Sequence, residues 1–203
     1  MGILRIINKN LIVRNLDIKQ SQGVDRMRYR NLLDIAVGNH SHGLYTPFYA
    51  MANHIVGADI EKDVTGRHDV DRFDVVDCNL PLPYEDNEFE VVISEHTIEH
   101  LENPEVFYQE VQRVASNLAI VTTPHWLRDK LEKMPLFGVK SINKHPHVRQ
   151  FNPKWFREHT DANKWIYQQK MSKDFFYLWN RIPVPFLLTS EIIVTLRARN
   201  SFR

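Results

Sequence analysis

The segment that most constrains the fold of this chain is Asn31–Gly43, where an apolar run ends in a polar turn. The pattern predicts a buried strand over Leu32–Val37, a break at Gly38 and a helix over Leu44–Ala52. A strand that leads through a small-residue turn into a helix N-terminus is where α/β proteins bind a cofactor. We therefore expect the functional site to be built around this turn.

Further apolar runs follow at the spacing of an α/β sheet, and each is short enough to be a strand. They cover His54–Asp59, Arg72–Val76, Phe89–Ser94 and Leu118–Thr122. Alternation of strands and helices predicts an open, mostly parallel sheet with right-handed crossovers. The connection Glu61–Asp71 is polar and short, which predicts a reduced or absent crossover helix.

Two Asn-Pro pairs, at Asn103 and Asn152, predict helix starts, because asparagine caps a helix and proline suits its first position. Two closing strands are expected, one within Tyr167–Trp179 and one over Glu191–Leu196. The prolines of Ile182–Pro185 predict an extended connection between them. These two strands are expected to form an antiparallel hairpin at one edge of the sheet.

The size of the chain, 203 residues, suits one domain with small additions. Residues 1–30 are predicted to be an N-terminal appendage with a possible β-hairpin and a linker, and residues 31–203 to be the main domain. The appendage is a possible surface for a homodimer. The net charge of +1 provides no general attraction to nucleic acid or to an anionic membrane.

The chain has one cysteine, Cys78, so an intrachain disulfide is impossible and a reducing compartment is favoured. Its N-terminus lacks the pattern of a signal peptide. No window approaches the roughly 18–20 apolar residues of a membrane span. We therefore expect a cytoplasmic protein without a membrane span.

Polar or small residues follow four consecutive strands, whose carboxyl ends meet at the ligand-binding edge of such a sheet. Asp59 lies about 20 residues after the first strand, the offset of an acid that accepts hydrogen bonds from a ribose diol. Capping of the next segment is an equally good interpretation of Asp59. Asp77 suits an exocyclic adenine amine, and the Cys78 N–H a ring nitrogen. Ordinary turn chemistry is the alternative for Asp77.

The first turn has a single central glycine, Gly38, with Ala36 before it and His40 after it. A dinucleotide site needs more glycines, because the backbone must approach a pyrophosphate closely. The turn therefore disfavours a nicotinamide or flavin cofactor. A nucleoside cofactor that carries no phosphate tolerates a bulkier turn.

Several segments, in the correct order, resemble the class I S-adenosylmethionine-dependent methyltransferases, specifically their type 11-like domain. They are Leu33–Gly38, Val56–Ile60, Asp77–Glu90, Ser94–Pro104 and His147–Pro153. The resemblance implies a Rossmann-like α/β fold: a mostly parallel seven-stranded sheet with the last strand antiparallel and helices on both faces. It also implies S-adenosylmethionine as the cofactor.

The resemblance implies that the cofactor is held by residues at the carboxyl ends of four strands. These are Asp34, Ala36, Gly38, Asn39, Asp59, Ile60, Asp77, Cys78, Asn79, Ser94 and Glu95. The chain departs from the family at Ala36 and His40, where further glycines are usual. Ala36 adds only a methyl group, whereas the His40 side chain must point away from the cofactor or replace a contact.

An oxygen or nitrogen nucleophile needs a base if it starts protonated, and histidine is the usual base near neutral pH. We predict His96, after the fourth strand, and His147, in the irregular region beyond the strands, as candidate catalytic residues. The nearby Glu99 and His100 fit no established metal-ligand motif, so no metal is expected. Helix capping and surface packing are the favoured interpretation of those two residues.

The leading hypothesis is a methyltransferase that moves a methyl group from S-adenosylmethionine to an oxygen or nitrogen of a small or medium-sized acceptor. The alternative is a non-catalytic binding or regulatory subunit, which His40 and the short connection after the second strand motivate. A third hypothesis is an RNA-directed methyltransferase. The near-neutral charge argues against it.

Overall fold

The computed structural model describes residues 29–38, 46–62, 70–124, 147–178 and 182–199. The predicted appendage up to residue 28, together with Asn39 and His40, lies outside these residues. The elements in chain order are β1 (Leu32–Ile35), α1 (Thr46–Tyr49), β2 (Ile55–Asp59), β3 (Arg72–Val75), β4 (Phe89–Glu95), a 3-10 turn (Ile98–His100), α2 (Pro104–Val114), β5 (Ala115–Pro124), α3 (Pro153–Glu158), β6 (Trp165–Leu178) and β7 (Ile182–Ala198).

The strands form one seven-stranded sheet in the order β3-β2-β1-β4-β5-β7-β6. Neighbouring pairs among β1 to β5 are parallel, whereas β7 is antiparallel to both β5 and β6. The predicted mostly parallel sheet with an antiparallel last strand is confirmed, as is the closing hairpin. The strand order reverses between β1 and β4, so the crevice at their carboxyl ends is where such a sheet binds ligands.

The sheet buries an apolar layer on each face. Leu33 and Val92 belong to the layer on the face that α2 and α3 cover. Ile93 and Ile120 belong to the opposite layer, together with Phe48 of α1. Burial of each such side chain stabilises the folded state by roughly 1.5–3 kcal/mol, and this packing holds the strand ends in register. No helix in the described ranges is long and apolar enough to cross a bilayer.

The prolines predicted to lie in a connection lie inside a strand instead. β7 begins at Ile182 and contains Pro183 and Pro185. Its first half pairs with β6, whereas β5 pairs with β7 only over Glu191–Arg197. Proline is tolerated where one edge of a strand has no ladder partner, which explains why the pattern misplaced the start of this strand.

The two Asn-Pro helix starts differ in their caps. Asn152 caps α3 as predicted, since its Oδ1 accepts a hydrogen bond from Trp155 N at 3.0 Å. Asn103 precedes α2 but makes no capping hydrogen bond. Its Nδ2 donates instead to the carbonyl of Asn79 at 3.4 Å. The start of α2 is therefore tied to the loop after β3, which carries part of the predicted site.

Arg113 of α2 clamps the loop that leads into β4. Its Nη1 donates to Tyr84 O at 2.8 Å and to Asp86 Oδ1 at 2.9 Å, and its Nη2 donates to Leu82 O at 3.1 Å. The guanidinium also binds both carboxylate oxygens of Glu110, at 2.7 and 2.6 Å. A bidentate pair of this kind is strong and directional. The pair orients the guanidinium, and the bonds to the Tyr84 and Leu82 carbonyls then fix the loop against the helix.

Candidate active site

The turn after β1 is tightly curled. Ala36 has a φ of 58° and Gly38 a φ of 53°, both in the left-handed region. Val37 N donates to Ala58 O at 3.1 Å, and Gly38 N donates to Asp59 Oδ2 at 2.9 Å. β1 thus ends at Ile35, two residues before the predicted end at Val37, because Ala36 turns the chain.

We expect the substitution Ala36→Gly to raise the free energy of unfolding by about 0.5–1 kcal/mol. A left-handed alanine costs roughly 1–2 kcal/mol, and the added backbone freedom of glycine in the unfolded chain returns only about 0.4–1 kcal/mol. Urea denaturation monitored by circular dichroism measures the change. Ala50→Gly is the matched control, because Ala50 is exposed and has a negative φ. The Ala50→Gly variant should lose stability. A change in the free energy of unfolding with the same sign in both variants would contradict backbone strain at Ala36.

Asp59 is the acid that the structure places against this turn. Only 8% of the residue is exposed, and its Oδ1 accepts a second hydrogen bond, from Glu61 N at 3.0 Å. Each carboxylate oxygen has about two lone-pair positions, so each can still accept from a hydroxyl. The neighbouring Ile60 is 61% exposed, which leaves an apolar surface beside the carboxylate. The arrangement suits a ribose diol next to a flat apolar ring.

The loop after β3 lies near Asp59. Asp77 Oδ1 accepts from Asn79 N at 2.9 Å, the turn chemistry that was the alternative interpretation of Asp77. Asn79 Oδ1 in turn accepts from Glu102 N at 2.8 Å. Burial, with the negative charges of Asp59 and Asp77, raises the pKa of the Cys78 thiol to about 12. Cys78 is therefore a neutral thiol at neutral pH, so its contribution to a site is its backbone.

Asp34 is held inside the fold. It is 3% exposed, and its Oδ2 accepts a hydrogen bond from Tyr49 Oη at 2.6 Å. This bond joins β1 to α1. The observed role of Asp34 is to fix the first helix beside the turn.

The carboxyl end of β4 contributes two predicted residues, Ser94 and Glu95. Ser94 is fully buried, and its Oγ has no hydrogen-bond partner within the described residues. Glu95 is half-buried and pairs in register with Thr122 of β5. A buried hydroxyl without a partner is costly and marks a place where a ligand or water atom would be favourable.

His96 lies directly after β4 between two carboxylates. Its Nδ1 is 3.3 Å from Glu99 Oε1, and its Nε2 is 3.3 Å from Glu191 Oε1. Its φ of 52° is in the left-handed region, and its N–H donates to Thr122 O at 3.1 Å. Strained backbone at a strand end is typical of functional sites, where the surrounding contacts hold it in place.

The position of His96 does not suit a general base. Burial alone would lower the pKa of His96, but hydrogen bonds to Glu191 and Glu99, with their negative charges, raise it to about 10. At neutral pH the ring is an imidazolium and has no lone pair to accept a proton. Its charge offsets the two carboxylates instead. A direct role of His96 in catalysis stays a prediction.

His147 lies near Glu99, although the two residues are far apart in the chain. Its ring lies 4.9 Å from that of His100, centroid to centroid. The next two residues, Val148 and Arg149, donate their N–H groups to Glu99 O at 2.9 and 3.2 Å. The structure thus places His96 and His147, the two histidines predicted from the sequence, each near Glu99.

Sequence reasoning missed the two carboxylates that contact His96, those of Glu99 and Glu191. Glu99 was interpreted as a cap or surface residue, yet its side chain is only 2% exposed. Glu191 was interpreted only as the start of the last strand. No local pattern marks Glu191, because the antiparallel insertion of β7 beside β5 is what carries it to His96.

The comparisons with known proteins agree with this geometry. Residues 33–121 match the family model described as a methyltransferase domain. Over 58 residues the chain is 47% identical to ajmaline N-methyltransferase of Rauvolfia serpentina, a match that covers 28% of this chain and 20% of that protein. The chain therefore spans about a fifth of the length of this curated relative.

Solved structures extend the likeness over nearly the whole chain. A SAM-dependent methyltransferase from Archaeoglobus fulgidus has a TM-score of 0.61 at 14% identity, with 95% of this chain and 94% of that chain covered. The N-methyltransferase NodS from Bradyrhizobium japonicum, solved with S-adenosyl-L-homocysteine, has a TM-score of 0.59 at 8% identity, with 96% and 87% covered. At these identities the likeness concerns the fold. Residues 33–121 match the methyltransferase-domain family, and the seven-stranded sheet that contains them has the fold seen in these methyltransferase structures.

Proposed function

We propose that this protein binds S-adenosylmethionine at the carboxyl ends of β1 to β4 and transfers its methyl group to a nitrogen of a small or medium-sized acceptor. The observation that carries the proposal is the Asp59 carboxylate, held 2.9 Å from the backbone N–H of Gly38 at the switch point of the sheet. An anchored carboxylate with spare acceptor positions is what a ribose diol requires. Ile60 offers the adjoining apolar surface for adenine.

The preference for nitrogen rests on the acceptor chemistry and on the sequence relative. Ajmaline N-methyltransferase is named for transfer to nitrogen, and this chain is 47% identical to it over 58 residues. A neutral amine brings its own lone pair, so alignment with the methyl carbon supplies much of the acceleration. The C–S bond breaks as the C–N bond forms, S-adenosyl-L-homocysteine leaves, and the proton of the alkylated amine passes to water. Oxygen acceptors remain the alternative within the same proposal.

Asp59→Asn should weaken binding of S-adenosyl-L-homocysteine by about 10- to 100-fold. Asparagine keeps the shape and one carbonyl acceptor, but it loses the charge-assisted hydrogen bonds, each of which contributes about 1.5–3 kcal/mol. Isothermal titration calorimetry on the full chain measures the dissociation constant. The unfolding midpoint of the variant shows in parallel whether the turn is intact.

Asp71→Asn is the matched control. Asp71, like Asp59, accepts a hydrogen bond from a backbone N–H, that of Ile55 at 2.7 Å, but it lies at the opposite end of β2. Its variant should bind the ligand like the wild type. An affinity unchanged in Asp59→Asn, or reduced equally in both variants, would contradict the assignment of the ribose site. No binding by the wild type at millimolar ligand would favour the non-catalytic alternative.

Two further expectations belong to the same proposal. A homodimer through residues 1–30 stays a prediction, as does a cytoplasmic location. RNA as acceptor is the least supported substrate class, because the net charge of the chain is +1.

A further inference from the structure

We propose that Glu99, His100 and His147 form a binding site for one divalent transition-metal ion. One carboxylate oxygen and one ring nitrogen from each histidine lie within 4.8 Å of one another. Two imidazoles and a carboxylate are a ligand set that proteins use for catalytic zinc. The inference goes beyond the proposed methyl transfer and does not depend on it.

The fold holds these ligands together from two segments. Glu99 and His100 lie on the 3-10 turn after β4, and His147 lies before α3. The Glu99 carbonyl accepts hydrogen bonds from Val148 N and Arg149 N, which fixes the backbone next to His147. Arg149 Nη2 also donates to Glu102 O at 2.9 Å. The segment that carries His147 is therefore anchored to the turn that carries the other two ligands.

The Glu99 carboxylate is oriented by partners of its own. Thr123 Oγ1 donates to Glu99 Oε2 at 3.1 Å, a bond that is buried. Glu99 Oε1 is 4.0 Å from His100 Nε2. Ligating carboxylates in metal sites are held by outer hydrogen bonds of this kind. The Glu99 side chain is 2% exposed and that of His100 is 27% exposed. The carboxylate therefore lies on the buried side of the proposed metal site and the His100 imidazole on its solvent side.

The donor atoms select the class of metal. Imidazole nitrogen favours zinc, cobalt and nickel over magnesium and calcium, which prefer oxygen. At a metal–ligand distance of about 2.1 Å, tetrahedral ligands are about 3.4 Å apart. The observed spread of 4.8 Å requires the side chains to close by about 1.4 Å as the ion binds. Three protein ligands leave a position for water or for an acceptor atom.

Titration of the full chain with Co²⁺ tests the site, after removal of metal with a chelator and dialysis. We expect one Co²⁺ per chain with the visible absorption of a low-symmetry site, and displacement of that absorption by Zn²⁺. His147→Ala and His100→Ala should each weaken Co²⁺ binding at least tenfold. The thermal unfolding midpoint of each metal-free variant shows that the loss is not a loss of fold, and His147→Gln replaces any alanine variant that fails to fold.

His54→Ala is the matched control, because His54 is 49% exposed and pairs with Asp71 instead of with this cluster. It should bind Co²⁺ like the wild type. Absence of stoichiometric Co²⁺ binding would overturn the proposal. Binding that persists in His100→Ala and His147→Ala, or that falls equally in His54→Ala, would also overturn it. Binding of S-adenosyl-L-homocysteine, measured separately without metal, keeps a failure of this site distinct from a failure of the proposed function.

Discussion

Replacement of His96 by asparagine is expected to lower the free energy of unfolding by about 3 kcal/mol. His96 lies 3.3 Å from both Glu99 and Glu191, whose side chains are 2% and 18% exposed. Removal of the cation takes a charged partner from two poorly hydrated carboxylates, and loss of one partner from a buried ion pair costs about 3–5 kcal/mol. Asparagine tolerates the left-handed backbone, so the change isolates the charge. Urea denaturation in the presence of a chelator measures it.

The substitution His54→Asn provides the comparison for that result. His54 also pairs with a carboxylate, Asp71 at 3.4 Å, but the two side chains are 49% and 53% exposed. An exposed pair contributes about 0–1 kcal/mol, so this variant should lose little stability. Addition of Glu191→Gln to His96→Asn should recover part of the lost stability, because it removes one of the two negative charges that His96 offsets. Equal losses at His54 and His96, or no recovery, would contradict the electrostatic role of His96.

Replacement of Arg113 by methionine is also expected to lower the free energy of unfolding by about 3 kcal/mol. Arg113 holds Glu110 and the carbonyls of Leu82 and Tyr84, and its side chain is 30% exposed. Hydrogen bonds to charged groups contribute about 1.5–3 kcal/mol each, and the released carbonyls lose their partner. Methionine keeps most of the apolar stem. The loop before β4 should then become a preferred site of limited proteolysis.

A pH series separates this clamp from simple loss of packing. The hydrogen bond that Glu110 accepts from Arg113 lowers the pKa of Glu110 below the ordinary 4.5. The clamp therefore contributes fully above that value, and its contribution is lost as the pH falls through the lowered pKa of Glu110. The wild type should lose more stability on acidification than Arg113→Met. Arg72→Met is the control, since Arg72 is 47% exposed and pairs with Asp74, and it should cost less than about 1 kcal/mol.

The sheet was predictable because its evidence is local and repeated. The run from Leu32 to Ile35 is fully buried, and β4 keeps the near-continuous apolar character of a strand covered on both faces. Asp59 was also predictable, since a fixed offset from the first strand places an acid at the same edge of a parallel sheet. The contact between Asp59 and Gly38 confirms that placement, while its ligand stays a proposal.

The parts that sequence reasoning missed depend on the tertiary fold. Only three non-glycine residues of the described ranges have positive φ, and the alanine at position 36 is not a residue type that indicates such a turn. The ion pair of His96 with Glu191 joins residues from β4 and β7 that no spacing rule relates. The prediction of His96 as a catalytic residue rested on the ordinary pKa of a free histidine, and the sequence carries no sign of the ion pair that raises this pKa.

The position of β7 between β5 and β6 has a consequence for how the chain folds. β6 precedes β7 in the chain, yet it reaches the sheet only through β7, since β5 pairs with β7 alone on that side. The two strands therefore join the sheet as one hairpin, and Leu118 must meet Arg197 from far along the chain. Contacts of such long sequence separation form slowly. Until they form, β5 is an open apolar edge, so the interval before β7 docks is when this protein is most exposed to misassembly with its own copies.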